Sequence, residues 1–174
     1  MTLAQAALEW YDANRRNLPW RGETDPYAIW VSEIMLQQTR AETVEKRYAA
    51  FLRQFPDVSA LAAAPEDAVL KAWEGLGYYA RARNLRRAAK IVSGEMGGRL
   101  PETAAALRKL PGMGAYAACS VASIAFGEPV PALDANLARV FSRVTGRREP
   151  LASPAELYPV ALGFIDPARP GDFN

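Results

Sequence analysis

The 174 residues of this chain include no histidine. Any acid–base chemistry must therefore use carboxyl, lysine, tyrosine or cysteine side chains. The absence of histidine excludes Ser-His-Asp and Cys-His catalysis and any histidine-ligated zinc. Cys119 is the single cysteine, which excludes an internal disulfide framework and a multi-thiolate metal site within this chain. We therefore expect no metal ligand set in these residues, and a reducing, cytoplasmic setting.

Glu33 is the first candidate for such chemistry, because it stands in a strongly apolar segment, residues 29–39 (IWVSEIMLQQT). One interpretation is a surface glutamate at the boundary of an amphipathic helix. The other is a partly desolvated carboxyl whose pKa is raised, which suits a general acid. The pattern fits both interpretations.

Asp134 opens another candidate helix within residues 131–136 (PALDAN). A role as a plain helix N-cap would explain this aspartate fully. A carboxylate at a helix N-terminus is also kept ionised by the helix dipole. A protonated acid and a retained anion form the pair that cleavage of a glycosidic bond requires, and Glu33 with Asp134 would supply that pair.

A glycine-containing segment, residues 110–114 (LPGMG), precedes a candidate helix over residues 115–126. Leu110 begins this segment, and Gly112 and Gly114 permit unusual dihedral angles and the close approach of a phosphate. The free amides and positive dipole end of the following helix bind a DNA phosphate without reading bases. The segment resembles a helix-hairpin-helix motif, and a simple Pro-Gly turn between helices is the alternative.

Four basic residues share an arc of roughly 100° on a candidate helix: Arg83, Arg86, Arg87 and Lys90. The net charge of +2 does not by itself indicate a polyanionic partner. Alone, this basic stripe is typical of a solvated helix face, whereas beside a DNA-binding motif it indicates contacts with phosphates.

Helices must position these residues, because apolar residues recur at helical spacing along nearly the whole chain and no segment demands a strand. Breaks fall at prolines and glycines, so we predict an all-α chain with short loops. The sequence has neither an apolar run long enough for a membrane span nor the basic start of a signal peptide. Its last residues, PARPGDFN, stop where a new helix would begin, and we expect the sequence to be incomplete.

Five segments occur in the order and spacing of one family: LPWR, SEIMLQQT, WEGLGYYARARNL, LPGMG and LDAN. From about Leu8 to its last residue, the chain resembles the MutY-type adenine DNA glycosylases of the helix-hairpin-helix superfamily, which also contains endonuclease III. The resemblance implies two α-helical lobes with DNA bound across the cleft between them. A six-helix lobe would span residues 22–127 and end in the hairpin, and residues 1–21 and 128–174 would form an incomplete second lobe.

The resemblance also implies roles for individual residues. Glu33 matches the glutamate that protonates adenine, and Asp134 matches the aspartate that stabilises, or covalently traps, the oxocarbenium-like sugar. Tyr116 stands near the sugar and is a weaker candidate for assisting that intermediate. Gln38 and Tyr78 match residues that wedge into the duplex once adenine is flipped out. Four residues match the lining of the adenine pocket, with core packing as the alternative for the apolar two: Arg16, Leu18, Trp20 and Arg21.

Two features of that family lie beyond the point at which this chain ends. They are a [4Fe–4S] cluster held by four cysteines and a C-terminal domain that recognises the oxidised guanine. Cys119 lies in the hairpin helix rather than in a run of ligands, so we expect no cluster or other cofactor within residues 1–174.

The sequence thus predicts a monofunctional enzyme that hydrolyses the N-glycosidic bond of adenine opposite 8-oxoguanine or guanine. Its expected partner is duplex DNA with an adenine mispair, and we expect a monomer that does not bind membranes. One alternative is an endonuclease III-like glycosylase and lyase, whose lysine nucleophile stands at the position of Tyr116. The other is a helix-hairpin-helix DNA-binding fragment without catalysis, against which the presence of Glu33 and Asp134 argues.

Overall fold

The computed structural model describes residues 1–147 and 153–174, and within these residues it contains helices and no strand, as the sequence predicted. The helices are α1 (Leu3–Asn14), α2 (Pro26–Leu36), α3 (Ala41–Gln54), α4 (Val58–Ala63), α5 (Glu66–Ala72), α6 (Ala80–Glu95), α7 (Ala104–Leu107), α8 (Ala115–Phe126), α9 (Ala135–Val144), α10 (Pro154–Leu162) and α11 (Pro170–Phe173). None of these described helices is both long and apolar enough to cross a membrane.

Contacts divide the chain into two compact units. The central unit contains Asn17–Pro101 and Ala105–Met113, and the terminal unit contains Met1–Arg16, Glu102–Ala104 and Gly114–Asn174. The predicted lobe of residues 22–127 included the hairpin helix, whereas contacts assign α8 to the terminal unit. The difference arises because α8 packs against α11, which comes from the last residues of the chain.

The core of the central unit forms around α2, in which eight of eleven residues are buried. Asp25 caps α2 by accepting a hydrogen bond from the Tyr27 amide, and Pro26 occupies the first turn, where its missing N–H has no helical partner to lose. α2 packs against α3 and α6, and α6 packs against α4 and α5. Phe51 of α3 is fully buried edge-on against Trp73, and burial of such a side chain stabilises the fold by about 1.5–3 kcal/mol.

The terminal unit has its own small core, in which Phe141 of α9 packs with Leu157 and Ala161 of α10. Arg169 connects the two ends of the unit, because its guanidinium makes two hydrogen bonds of 2.7 and 2.8 Å to Asp12 of α1. The same guanidinium bonds Asp172 of α11. α1 is therefore held against α11, which in turn packs against α8.

Candidate functional site

Glu33 lies on α2 between buried neighbours, and its own side chain is half-buried. Ser32 and Ile34, on either side of it, are 2% and 3% exposed. The helix therefore holds the carboxyl at the edge of a hydrophobic core rather than on a solvated face. This is the setting that the general-acid interpretation requires, and the role itself stays a prediction.

Two buried tyrosines fix the position of α2. The Tyr48 hydroxyl on α3 donates a hydrogen bond of 3.2 Å to the Ala28 carbonyl of α2, and the Tyr27 hydroxyl donates one of 2.8 Å to the Phe55 carbonyl. Burial, with nearby carboxylates adding to it, raises the pKa of both phenols above the ordinary value of 10, so both remain protonated donors at neutral pH. The helix that carries Glu33 is thereby tied to its neighbour at two points.

The four residues predicted to line an adenine pocket fall in different settings. Trp20 is 8% exposed and packs edge-on against the Tyr48 ring, with centroids 5.6 Å apart. Leu18 is half-buried and its carbonyl accepts a hydrogen bond from the Arg21 amide, whereas the Arg16 and Arg21 side chains are exposed. Trp20 therefore has the core-packing role that the sequence offered as an alternative, and the pocket role of all four stays a prediction.

Gln38 and Tyr78 share an uncommon backbone conformation. Within the described residues they alone, among residues other than glycine, have positive φ angles, 55° for Gln38 and 47° for Tyr78. Such a left-handed conformation costs an ordinary L-residue roughly 1–2 kcal/mol, and such residues cluster at functional sites. Both side chains are exposed, and Tyr78 is 64% exposed. The two residues predicted to wedge into DNA are thus the two that the backbone holds in strain.

Arg81, in the first turn of α6, connects the loops that carry Gln38 and Tyr78. Its guanidinium carbon lies 5.6 Å from the centroid of the Tyr78 ring and 5.5 Å from that of Trp73. Burial lowers the pKa of Arg81 from its ordinary value, but the group stays charged. Its terminal nitrogens donate to five oxygen atoms at 2.8–3.2 Å: the carbonyls of Ile34, Met35, Leu76 and Gly77 and the hydroxyl of Thr39.

The hairpin segment packs on Asn84 of α6. Leu110 is buried, and its carbonyl accepts a hydrogen bond from the Met113 amide across the turn. Gly112 takes φ 79°, which glycine alone adopts readily, and it lies against the Asn84 side chain. Gly114 then caps α8 with no side-chain hydrogen bond to the first turn. The first amides of α8 therefore lack a side-chain cap, as the phosphate-binding interpretation requires.

A cavity of about 60 Å³ lies within the central unit beside this turn. Two buried donors line it, Trp30 Nε1 and the Arg81 side chain, and among the described residues neither Trp30 Nε1 nor Arg81 Nε has an acceptor. The lining is drawn from α2, α6 and the hairpin: Trp30, Ile34, Gln37, Arg81, Asn84, Leu85, Pro111 and Gly112.

Asp134 is the N-cap of α9, as the sequence predicted. One carboxylate oxygen accepts a hydrogen bond of 2.8 Å from the Leu137 amide, and the other accepts one of 2.9 Å from the Asn136 side chain. The preceding loop is fixed by Asn174, whose side-chain oxygen accepts from the Ala132 amide and whose side-chain nitrogen donates to the Val130 carbonyl. The Asp134 carboxylate therefore caps α9, and Asn174 holds the loop that precedes it. Its role in catalysis stays a prediction.

The basic stripe does not form one uniform surface. Arg83 and Arg86 both contact Glu66, at 3.1 and 3.8 Å, and Arg86 also donates a hydrogen bond of 2.7 Å to the Ala64 carbonyl at the end of α4. Only 16% of the Arg86 side chain is exposed, whereas Arg87 is exposed and donates to Asn84. Helical spacing correctly indicated that these residues share one face of α6. It did not indicate that residues at the end of α4 and in α5 contact part of that face.

Tyr116 lies in the first turn of α8 and is 43% exposed. It stands in the terminal unit, two residues after Gly114. The sequence missed three side chains that this structure places around the candidate residues: Arg81, Thr39 and Asn174. The first two stand inside the segments WEGLGYYARARNL and SEIMLQQT, but nothing in those letters shows that they bond the backbone of one another's loop.

Comparison with known proteins gives these elements a family. The model of the HhH-GPD superfamily of base excision DNA repair proteins matches residues 31–157. The chain belongs to this superfamily. Its match begins within α2 and includes the hairpin, Asp134 and α9, so α3 to α9 lie within the region that matches the HhH-GPD model.

Curated relatives of this HhH-GPD chain carry the name adenine DNA glycosylase. The human protein is 43% identical over 96% of this chain and 33% of its own length, and that of Rattus norvegicus is 44% identical over 96% and 35%. That of Mycolicibacterium smegmatis is 42% identical over 88% and 53%. The chain thus spans about a third of the length of the first two relatives.

Solved structures confirm the fold. A thermostable thymine-DNA glycosylase superposes with a TM-score of 0.89 at 31% identity, over 98% of this chain and 80% of that one. Endonuclease III in a trapped covalent DNA intermediate superposes with a TM-score of 0.81 over the same shares, at 20% identity. The prediction of an all-α helix-hairpin-helix glycosylase fold is therefore confirmed.

Proposed function

We propose that this HhH-GPD protein is an adenine DNA glycosylase that removes adenine mispaired with 8-oxoguanine or guanine from duplex DNA. The observation that carries the proposal is Glu33, a carboxyl half-buried on an otherwise buried helix, in a chain 43% identical to human adenine DNA glycosylase. A carboxyl at the edge of a core is suited to act as a general acid toward a departing base.

The chemistry follows from the bond that breaks. When the C1′–N9 bond of adenine cleaves, its electron pair leaves with the base, and a proton delivered by Glu33 neutralises the departing adenine. The sugar becomes an oxocarbenium-like cation, which the Asp134 carboxylate stabilises until water adds at C1′ and releases its extra proton to solvent. Asp134 supplies this charge without rearranging, because its two oxygens are already held by Leu137 and Asn136.

Duplex DNA must open before this reaction, because the glycosidic bond is inaccessible inside the base stack. We assign Gln38 and Tyr78 to the opened stack, since both are exposed and held in the left-handed conformation. The uncapped amides of α8 after Gly114 would hold a phosphate without reading sequence. Arg16, Leu18, Trp20 and Arg21 are proposed to line the adenine pocket. The proposed setting is a monomer working on DNA in the cytoplasm, away from membranes.

The iron–sulfur cluster of the family that this chain resembles does not fit the residues of this chain. A [4Fe–4S] cluster takes four cysteine thiolates, and Cys119 is the only cysteine among the 174 residues. The reaction proposed here uses two carboxyl side chains, backbone amides and water, and the protein groups among these are all present in this chain.

The test is single-turnover release of free base by the protein as its gene encodes it. The duplexes carry one adenine opposite 8-oxoguanine, guanine or thymine, and a further duplex carries thymine opposite guanine. We expect adenine release from the first two mispairs and an intact sugar–phosphate strand until alkali is added. A helical, folded protein that releases no adenine, or that releases thymine from the thymine–guanine mispair instead, would overturn the proposal.

A further inference from the structure

The two left-handed residues, Gln38 and Tyr78, stand in separate loops. Gln38 follows the end of α2, and Tyr78 lies just before α6, 40 positions later in the chain. Their own side chains are exposed, although the Tyr78 ring lies against Arg81, with its centroid 5.6 Å from the guanidinium carbon. A strained backbone conformation persists only where the surrounding groups hold it in place. The restraint on Gln38 and Tyr78 therefore comes from groups that contact these residues and the backbone next to them.

Arg81 supplies that restraint from both sides. Its Nη1 donates to the last turn of α2, at the Ile34 and Met35 carbonyls, and its Nη2 donates to the loop carbonyls of Leu76 and Gly77, directly before Tyr78. The four N–H groups on these two nitrogens are thus divided between the end of α2, which precedes Gln38, and the loop before Tyr78. A planar guanidinium presents them in fixed directions, whereas a lysine ammonium has three donors on a flexible stem.

Thr39 completes the link on the other side of Gln38. Its hydroxyl accepts a hydrogen bond of 2.9 Å from Arg81 and lies 3.2 Å from the Leu76 carbonyl, to which it donates. Trp73 adds a further hold on the second loop, because its indole N–H donates to the Gly77 carbonyl at 3.2 Å. The backbone before Gln38, the Thr39 side chain after it and the backbone before Tyr78 are therefore bonded to one partly buried cluster.

We propose that Arg81 is a positioning residue that holds Gln38 and Tyr78 together as a preformed wedge for opening duplex DNA. The inference rests on the proposed function for the wedge, and on the hydrogen bonds above for the restraint. A wedge fixed before contact with DNA does not have to be ordered during base opening, so its residues enter the stack without an added entropy cost. Arg81 itself touches neither base nor sugar in this account.

The experiment replaces Arg81 with lysine, which keeps the charge and removes the fork. Duplexes carry 2-aminopurine beside the adenine, so that unstacking is read as a rise in fluorescence. We expect Arg81→Lys to slow opening of a fully paired site by roughly tenfold or more, since misplacement by about 1 Å costs up to about a hundredfold. The defect should shrink when adenine faces an abasic site, because that base is unpaired and costs less to extrude.

Two further variants keep the result interpretable. Arg53→Lys makes the same exchange on the exposed end of α3, away from both loops, and should leave opening unchanged. Thr39→Val keeps the side-chain shape and removes only the hydroxyl that bonds Arg81 and Leu76. If Arg81→Lys does not fold, Thr39→Val must show the same selective loss on paired substrates.

A stability readout separates failure of this inference from failure of the proposed function. Glycine at residue 38, Gln38→Gly, relieves the strain there and leaves the Tyr78 ring against Arg81 in place. In the unmodified protein, loss of the Arg81 bonds is partly offset by release of that strain, so Arg81→Lys should lower the melting temperature more in the Gln38→Gly background than in the unmodified protein. Equal losses in both backgrounds, together with unchanged opening by Arg81→Lys, would overturn the positioning role. An unmodified protein that opens and cleaves no duplex would overturn the proposed function, while the coupling between Arg81 and residue 38 would still be measured.

Discussion

Gly112 lies so close to Asn84 that a Cβ atom added to the glycine would stand 2.7 Å from the Cβ atom of the asparagine. Real Cβ atoms do not approach this closely, so the hairpin turn and α6 fit together only with glycine at this position. The φ angle of 79° imposes the same requirement independently. Gly114 differs on both counts, because its φ is −69° and no atom lies within 4 Å of an added Cβ.

The two glycines therefore predict different effects of substitution by alanine. Gly112→Ala should destabilise the fold by about 1–3 kcal/mol, because it combines a clash with a left-handed backbone. Gly114→Ala should change stability by less than about 0.5 kcal/mol, since a weaker N-cap is offset by lower chain entropy. Chemical denaturation measures both changes. Equal destabilisation by the two variants would contradict this account of the turn.

The affinity of Gly114→Ala for duplex DNA tests whether a phosphate binds at this turn. Because Gly114→Ala should fold normally, any loss of affinity that it shows would report an added methyl group at the phosphate approach rather than a damaged turn. We expect binding to weaken for all duplexes alike, since phosphate contacts carry no base sequence.

The sequence predicted elements and local caps better than contacts between elements. Asp134 was recognisable as an N-cap because the cap and its partner, Leu137, are three residues apart. Arg86 was placed on a DNA-facing stripe because helical spacing shows which residues share a face, not that α4 offers the Ala64 carbonyl to one of them. Arg81 was missed because four of its five acceptors are backbone carbonyls, one of them 47 positions away, and a pattern of side-chain types does not reveal main-chain partners.

Glu33→Gln tests the general acid. Glutamine keeps the shape of the side chain and removes the transferable proton, so adenine release should fall by about 10²- to 10⁴-fold while binding to mispaired duplex is retained. Single-turnover base release and a binding titration give the two quantities. Glu45→Gln, on the exposed side of α3, is the matched control and should change neither. Near-normal release by Glu33→Gln would assign the proton to another group.

Asp134→Asn separates the helix-capping role of Asp134 from the role of its negative charge. Asparagine caps a helix about as well as aspartate, so the melting temperature should hardly change, whereas loss of the anion should slow base release by about 10²-fold or more. Asp57→Asn is the matched control, because Asp57 caps α4 through an equivalent 2.7 Å bond from the Ala60 amide. A large fall in melting temperature with unimpaired release by Asp134→Asn would leave Asp134 only its structural role.

Neutralisation of the basic stripe should affect its members unequally. Arg87→Gln removes an exposed charge, so we expect weaker binding to every duplex and a salt dependence smaller by about one counterion. Arg86→Gln removes the bond to Ala64 and should act mainly on stability. Arg83→Gln should fall between them, since Glu66 already neutralises part of its charge. Identical salt slopes for all three variants and the unmodified protein would place the DNA contacts elsewhere.

Tyr116→Lys decides between hydrolysis alone and hydrolysis coupled to strand cleavage. A lyase needs an amine near the sugar C1′ to form a Schiff base, which a phenol cannot form. The unmodified protein should therefore release adenine, leave the abasic strand intact until alkali is added, and give little adduct with borohydride. Lysine in the first turn of α8 would place an amine at the rival enzyme's nucleophile position, and its accessibility there is indicated by the 43% exposure of Tyr116. We expect this variant to gain a borohydride-trappable adduct and some strand nicking, even if adenine release slows.

Lys109→Gln in the same background is the control, because that lysine precedes the hairpin and should not affect trapping. Efficient trapping by the unmodified protein would favour the bifunctional enzyme, and a Tyr116→Lys variant that traps nothing would place residue 116 away from the sugar.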